Sequence, residues 1–125
     1  MDKRTYSRGD IYFAQLPKGA GSVQSGRRPV IILQNNVGNR FSSTLIVAPL
    51  TSKEKRPMPT HVKIGASSGL SVDSTVLGEQ ITTIDKEQIR GERVAHAPEP
   101  TMKHVDTAVA VSLGLLPAAV FAQAV

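Results

Sequence analysis

Two consecutive arginines, Arg27 and Arg28, stand between a stretch containing Gly19, Gly21 and Gly26 and the segment Pro29-Val30-Ile31-Ile32-Leu33. That order carries a chemistry. The glycines free the backbone ahead of the arginines, Pro29 restricts the residue before it, and a stiff apolar strand anchors the pair. A guanidinium held this way can grip a phosphate with two parallel hydrogen bonds and stabilise the added charge of a pentacovalent transition state. The competing reading of Arg28 is an ordinary ion pair. Thr51, at the end of a second apolar run, could donate or orient a proton at the same centre, although a threonine ending a strand more often only bonds backbone. Glu79 and Gln80 offer a carboxylate and an amide that could each hydrogen-bond a base edge; on a strand they would face opposite sides, so one at most would enter a given cleft.

Other chemistries find less support. With no cysteine, the chain has no disulfide, thiolate zinc site or cysteine nucleophile. His61, His96 and His104 are scattered without ligand spacing, which predicts no metal site, and His104 reads as a surface position on a helix. The 21–27 stretch superficially resembles a phosphate-binding P-loop, but that motif needs a lysine and a hydroxyl residue leading into a helix, whereas Pro29 opens a strand. Gly65-Ala66-Ser67-Ser68-Gly69 matches the nucleophile-elbow pattern, yet the segment after it, from Leu70 to Leu77, is strand-like rather than helical.

These residues must be positioned by a single core, because 125 residues make one domain, here taken as 1–125. The formal charge of +5 favours a polyanion or a strongly acidic protein segment as partner. No apolar run is long enough to span a bilayer, and the first residues form no signal region, so a soluble cytoplasmic protein is expected.

The pattern predicts strands over 11–16 and 30–34, the second apolar on both faces and therefore central. Residues 35–39 read as a turn, and a third strand over 44–50 contains Pro49, which predicts a bulge or an edge near its end. A basic loop over 52–59, broken by Pro57 and Pro59, forms a second contact surface before a strand over 61–64. Further strands are expected over 74–81 and around 93–95, with Asp85 at a turn, for a small β-barrel of five to seven strands. A helix starting at 98–101 carries Met102, Val105, Val109, Leu113 and Leu116 at helical spacing until Gly114 and Pro117 stop it, and that stripe should lie on the barrel. The apolar tail 118–125 could fray, extend the packing or meet a second subunit.

Taken in order, Arg8-Gly9-Asp10-Ile11-Tyr12, Gly21-Ser22-Val23-Gln24, Arg28-Pro29-Val30, Gln34-Asn35, Gly38-Asn39-Arg40-Phe41-Ser42, Thr51-Ser52, Pro59-Thr60-His61-Val62 and Glu79-Gln80-Ile81 through Thr83-Ile84-Asp85 resemble the MazF/PemK/Kid family of toxin endoribonucleases, over about residues 8–115. The resemblance implies an SH3-like, PemK/CcdB-type barrel with a C-terminal helix, forming a homodimer whose grooves receive single-stranded RNA and are blocked by an acidic MazE-like antitoxin. It implies metal-independent cleavage, without cofactor, in which the RNA 2′-hydroxyl attacks its own phosphate to leave a 2′,3′-cyclic phosphate and a 5′-hydroxyl. By matching position, Arg28 and Thr51 resemble the family's pair at the scissile phosphate. Ser22, Gln24, Arg27, Pro59, Thr60, His61, Glu79 and Gln80 are taken as RNA-binding, with 57–60 as a rim. This chain departs from the pattern at Val23, where many members carry glutamate, at Asn36, where an acid is usual, and at Thr82, where a basic residue is frequent.

Two other readings are a CcdB-like gyrase poison and a noncatalytic nucleic-acid-binding barrel. The first relies on a C-terminal tryptophan, and this chain has no Trp. The second needs stacking platforms, and an aromatic content of 4% supplies few.

Overall fold

Val30, Ile31 and Ile32 have no exposed surface, as an uninterrupted apolar run requires of a central strand. Alternate residues feed two cores: Val30 and Ile32 join Tyr6, Tyr12, Leu45, Val47 and Ile84 on one face, while Ile31 joins Ile11, Ala48, Leu50 and Val76 on the other. The computed structural model describes residues 4–66 and 69–118. Along them run β1 (Asp10–Leu16), β2 (Gly26–Ile32), α1 (Asn36–Phe41), β3 (Thr44–Thr51), β4 (His61–Ile64), β5 (Ser74–Leu77), β6 (Thr82–Asp85), β7 (Ile89–His96) and α2 (Glu99–Ser112), with a 3-10 turn at Lys86–Gln88. The strands make one antiparallel sheet in the order β4-β5-β3-β2-β1-β7, and β6 lies beside β3 on the edge it shares with β5. This is the mainly β architecture with a C-terminal helix that the sequence predicts.

Several elements differ from expectation. Residues 35–39 are a helix start rather than a turn: Asn35 caps α1, its side chain accepting the Gly38 N–H at 2.8 Å. Asn39, on α1, is buried and exchanges amide hydrogen bonds with Gln34. The strand predicted over 74–81 stops at Leu77, and the next strand, β6, begins beyond it at Thr82. Gly78 makes the break: its N–H donates to the Thr60 carbonyl (2.8 Å), and a Cβ there would sit 2.7 Å from that oxygen. Pro49 does not mark an edge, because β3 is central; it falls where β3's outer neighbour changes from β6, paired through Val47, to β5, paired from Leu50. The strand expected around 93–95 runs from Ile89 to His96.

Helix α2 packs Met102, Val105 and Ala108 inward, and Arg8 ties it to the sheet by pairing with Asp106 while donating its Nε–H to the Leu33 carbonyl (2.9 Å). Leu113 and Leu116 do not continue the buried stripe: they are exposed, because the helix ends at Ser112 and Gly114 turns the chain at φ 75°. His104 is exposed, as expected. No described helix is long and apolar enough to cross a membrane. The expectations for the tail beyond residue 118, for the chain start over 1–3 and for Ser67 and Ser68 lie outside the described residues.

Candidate active site

The β2–β3 ladder stops where the arginine begins, and proline is the reason. The Leu33 N–H donates to the Ile46 carbonyl (2.9 Å). Hydrogen-bonded rungs therefore alternate from Leu33–Ile46 to Ile31–Ala48, and Pro29–Leu50 would come next. Pro29 has no N–H to give. The last pair is Val30–Pro49, after which β3 pairs with β5 through Leu50–Val76 and Thr51–Thr75. Beyond the Val30–Pro49 pair, the ends of the two strands and the loops that adjoin them line a groove of about 460 Å³.

Arg28 and Thr51 line this groove together, with Ser22 and Gln24 from the 21–25 loop and Lys53 and Lys55 from the 52–59 loop. Arg28 is exposed, and its Nε–H donates to the Ser25 carbonyl (3.1 Å). That bond steadies the guanidinium and leaves its two terminal nitrogens for a ligand. Thr51 is only 4% exposed, and its hydroxyl oxygen accepts the Lys53 N–H (3.2 Å), so the hydroxyl proton remains to be donated. Three cations, hydroxyls and an amide, with no carboxylate in the lining, make a site for a polyanion.

A second cleft of about 280 Å³ adjoins the first, and Lys55 lines both. His61, Lys63, Thr75, Arg56 and Met58 line it, with Pro57 at its rim. The sheet joins the two, because Thr51 pairs with Thr75 and Thr75 with Lys63, a cross-strand row with side chains on one face. His61, its side chain 8% exposed, hydrogen-bonds Glu79 through Nε2 at 2.9 Å. Burial alone would raise the Glu79 carboxyl, but the hydrogen bonds from His61 and from its own backbone N–H, together with the attraction of His61, hold it below the usual glutamate range.

Glu79 and Gln80 sit on the β5–β6 turn rather than on a strand. Gln80 reaches the opposite loop: its Oε1 accepts the Gln24 N–H (2.8 Å), and its Nε2 donates to the Ser22 carbonyl (3.0 Å). Pro59 and Thr60 are half-buried ahead of β4, outside the lining of both clefts. Arg27 does not join Arg28. Neighbouring residues on a strand face opposite ways, and the Arg27 guanidinium lies over the Phe13 ring, 5.2 Å from its centroid.

Known proteins share this fold. Residues 7–113 match the family described as PemK-like, MazF-like toxin of type II toxin-antitoxin system. The chain belongs to this family. The endoribonuclease EndoA of Bacillus subtilis is 47% identical over 111 residues, spanning 87% of this chain and 95% of that protein. The crystal structure of MazF from Deinococcus radiodurans superposes with a TM-score of 0.78 at 27% identity, over 90% of this chain and 99% of that one. A mycobacterial endoribonuclease solved in complex with its cognate antitoxin gives 0.74 at 29% identity, over 89% and 97% of the two chains.

Among the three departures from the PemK/MazF pattern, Val23 lies on the groove itself and is 58% exposed. Asn36 holds the Arg8 N–H with its side-chain oxygen (2.8 Å), a structural use. Thr82 opens β6, on the sheet edge away from the groove lining. Ser25 and Lys63 line the clefts without being singled out by the sequence pattern, while Lys53 and Lys55 belong to the basic loop expected as a second contact surface. Lys53 and Lys55 had a signal, positive charge within a proline-broken loop; Ser25 contributes through its carbonyl, which no residue type announces.

Proposed function

We propose that this PemK/MazF-family toxin is an endoribonuclease that cuts single-stranded RNA between Arg28 and Thr51 by metal-independent transphosphorylation. The RNA 2′-oxygen loses its proton and bonds to phosphorus. The bond from phosphorus to the 5′-oxygen breaks, and that oxygen gains a proton, leaving a 2′,3′-cyclic phosphate and a 5′-hydroxyl. Arg28 stabilises the charge of the pentacovalent phosphorus with its two terminal nitrogens, which have no hydrogen-bond partner among the described residues. Thr51 supplies a hydroxyl from a fixed strand position, and Lys53 and Lys55 hold the flanking phosphates.

The groove that joins Arg28 to Thr51 at the end of the β2–β3 ladder carries this reading, with the EndoA relationship behind it. Its cationic lining also suits an acidic antitoxin segment as a competitor of RNA, a role supported by the mycobacterial complex. A homodimer in the cytoplasm is the working assembly.

The test is cleavage of an unstructured mixed-sequence RNA in EDTA by wild type and Arg28→Ala. Discrete fragments with cyclic phosphate and 5′-hydroxyl ends from the wild type alone are expected. Fragments with other ends, or cleavage that needs added metal, would overturn the chemistry.

A further inference from the structure

Gln80 belongs to the set expected to touch RNA, yet both ends of its amide are already occupied within the protein. We propose that Gln80 is a positioning residue: it latches the 21–25 loop and, through that loop, aims Arg28. The aiming half rests on the function proposed above; the latch does not.

The loop has few other ties. Its remaining hydrogen bonds among the described residues are local, from the Val23 N–H to the Ala20 carbonyl (3.2 Å) and from Arg28 to the Ser25 carbonyl. Val23 is largely exposed and anchors nothing in the core. Gly21 and Gly26 bound the segment with φ of 59° and 75°, conformations that suit glycine and let the segment pivot. The Gln24 side-chain oxygen is buried with no hydrogen-bond partner among the described residues, so the backbone bond to Gln80 is what locates this residue.

The latch itself sits on a rigid base. The Gly78 N–H is bonded to Thr60, the Gln80 N–H to the Leu77 carbonyl (3.0 Å), and Glu79 to His61. The chemistry of the side chain also matters. A backbone N–H at Gln24 and a carbonyl at Ser22 need an acceptor and a donor side by side, which an amide provides and a carboxylate or a thioether does not. Ser25 comes directly after Gln24, and its carbonyl fixes the Arg28 Nε. Releasing Gln80 therefore loosens the hydrogen bond that orients the guanidinium, and misplacement by about 1 Å can cost about a hundredfold in rate.

The experiment compares wild type, Gln80→Met and Gln80→Glu, first by amide exchange without RNA and then by steady-state cleavage of RNAs that differ at the bases flanking the cut. For Gln80→Met, the Gln24 amide should exchange about tenfold faster, in line with loss of a hydrogen bond, while Ile31 and Ala48 stay protected as folding controls. Its kcat should fall about tenfold or more, with little change in KM and equally for every RNA. Gln80→Glu keeps the acceptor for the Gln24 N–H but loses the donor to Ser22, so it should restore Gln24 protection and give an intermediate kcat. Unchanged Gln24 exchange in Gln80→Met would overturn the latch. Faster exchange with unchanged kcat would overturn the aiming of Arg28, and a loss confined to RNAs with one flanking base would assign Gln80 to base reading instead. If the wild type cuts none of the RNAs, the proposed function fails, and the exchange data still decide the latch.

Discussion

Arg28 and Thr51 occupy one rung of the β2–β3 register, two positions beyond the last pair that forms, Val30–Pro49. The sheet therefore places both residues on the same face and opposite each other, while the missing rung keeps them apart. A guanidinium and a hydroxyl are set across the groove by strand geometry, and the guanidinium tip is steadied from a loop.

Replacing Arg28 with alanine should lower kcat by about a hundredfold to a thousandfold, the usual cost of removing a donor that acts on the transition state. RNA affinity should fall far less, because Lys53 and Lys55 remain. Cleavage rates and fluorescence anisotropy on the same RNA separate the two; equal losses in both would make Arg28 a binding residue only. Arg28→Lys should recover little, since an ammonium lacks the planar fork.

The legibility of the molecule in its sequence divides along physical lines. The arginine and the apolar runs can be read from residue types, and so can the mainly β class, whereas Thr51 stands out only through the family resemblance. The gap itself can be anticipated only in part: Pro29 and Pro49 are visible in the sequence, but which strand each faces is a matter of pairing. Arg27 reads as a companion of Arg28 because adjacency in sequence hides the alternation of a strand. Gln80 reads as a ligand contact because a side chain's partner 56 residues away cannot be seen without the fold.

Thr51→Val keeps the shape of this buried residue and removes its hydroxyl. Cleavage should fall by about a hundredfold if the hydroxyl takes part in proton transfer, whereas Thr51→Ser should keep most of the activity. Thermal denaturation of both variants checks that the sheet is intact; a fully active Thr51→Val would remove the hydroxyl from the chemistry.

Salt should weaken RNA binding by about 0.7 log units per tenfold rise in concentration for each phosphate contacted. Lys53→Ala and Lys55→Ala should each reduce that slope by about 0.7 if each lysine holds one phosphate. Titrations at several ionic strengths give the slopes directly, and a slope unchanged in either variant would free that lysine of phosphate contact.

The depressed Glu79 carboxyl links stability to acid. The folded protein binds this proton less readily than the unfolded chain, so the contribution is complete above the usual glutamate range, about 4.3, and is lost as pH falls through the lower folded value. With its side chain 38% exposed, screening limits the effect to about 1 kcal/mol or less. In urea melts, wild type should exceed Glu79→Gln by that margin at pH 7, and the difference should close on acidification. A gap independent of pH would assign the difference to packing.

Gly78→Ala should cost about 1–3 kcal/mol, because the new methyl has no room against the Thr60 carbonyl and the turn must shift. Since this turn carries both Glu79 and Gln80, cleavage should drop along with the melting temperature. A variant of unchanged stability would show that the turn relaxes freely.

Pro29 has one more effect, on what can dock at the parted strands. An opened sheet edge normally invites an extended chain to add itself as a new strand, through free backbone donors and acceptors. Here the first donor an incoming strand would seek is absent, because it is the nitrogen of Pro29. A strand entering from that end, whether β3 itself or a foreign peptide, finds one backbone donor fewer at the mouth. Whatever occupies the groove is then recognised there less by backbone pairing than by its charge and the shape of its side groups.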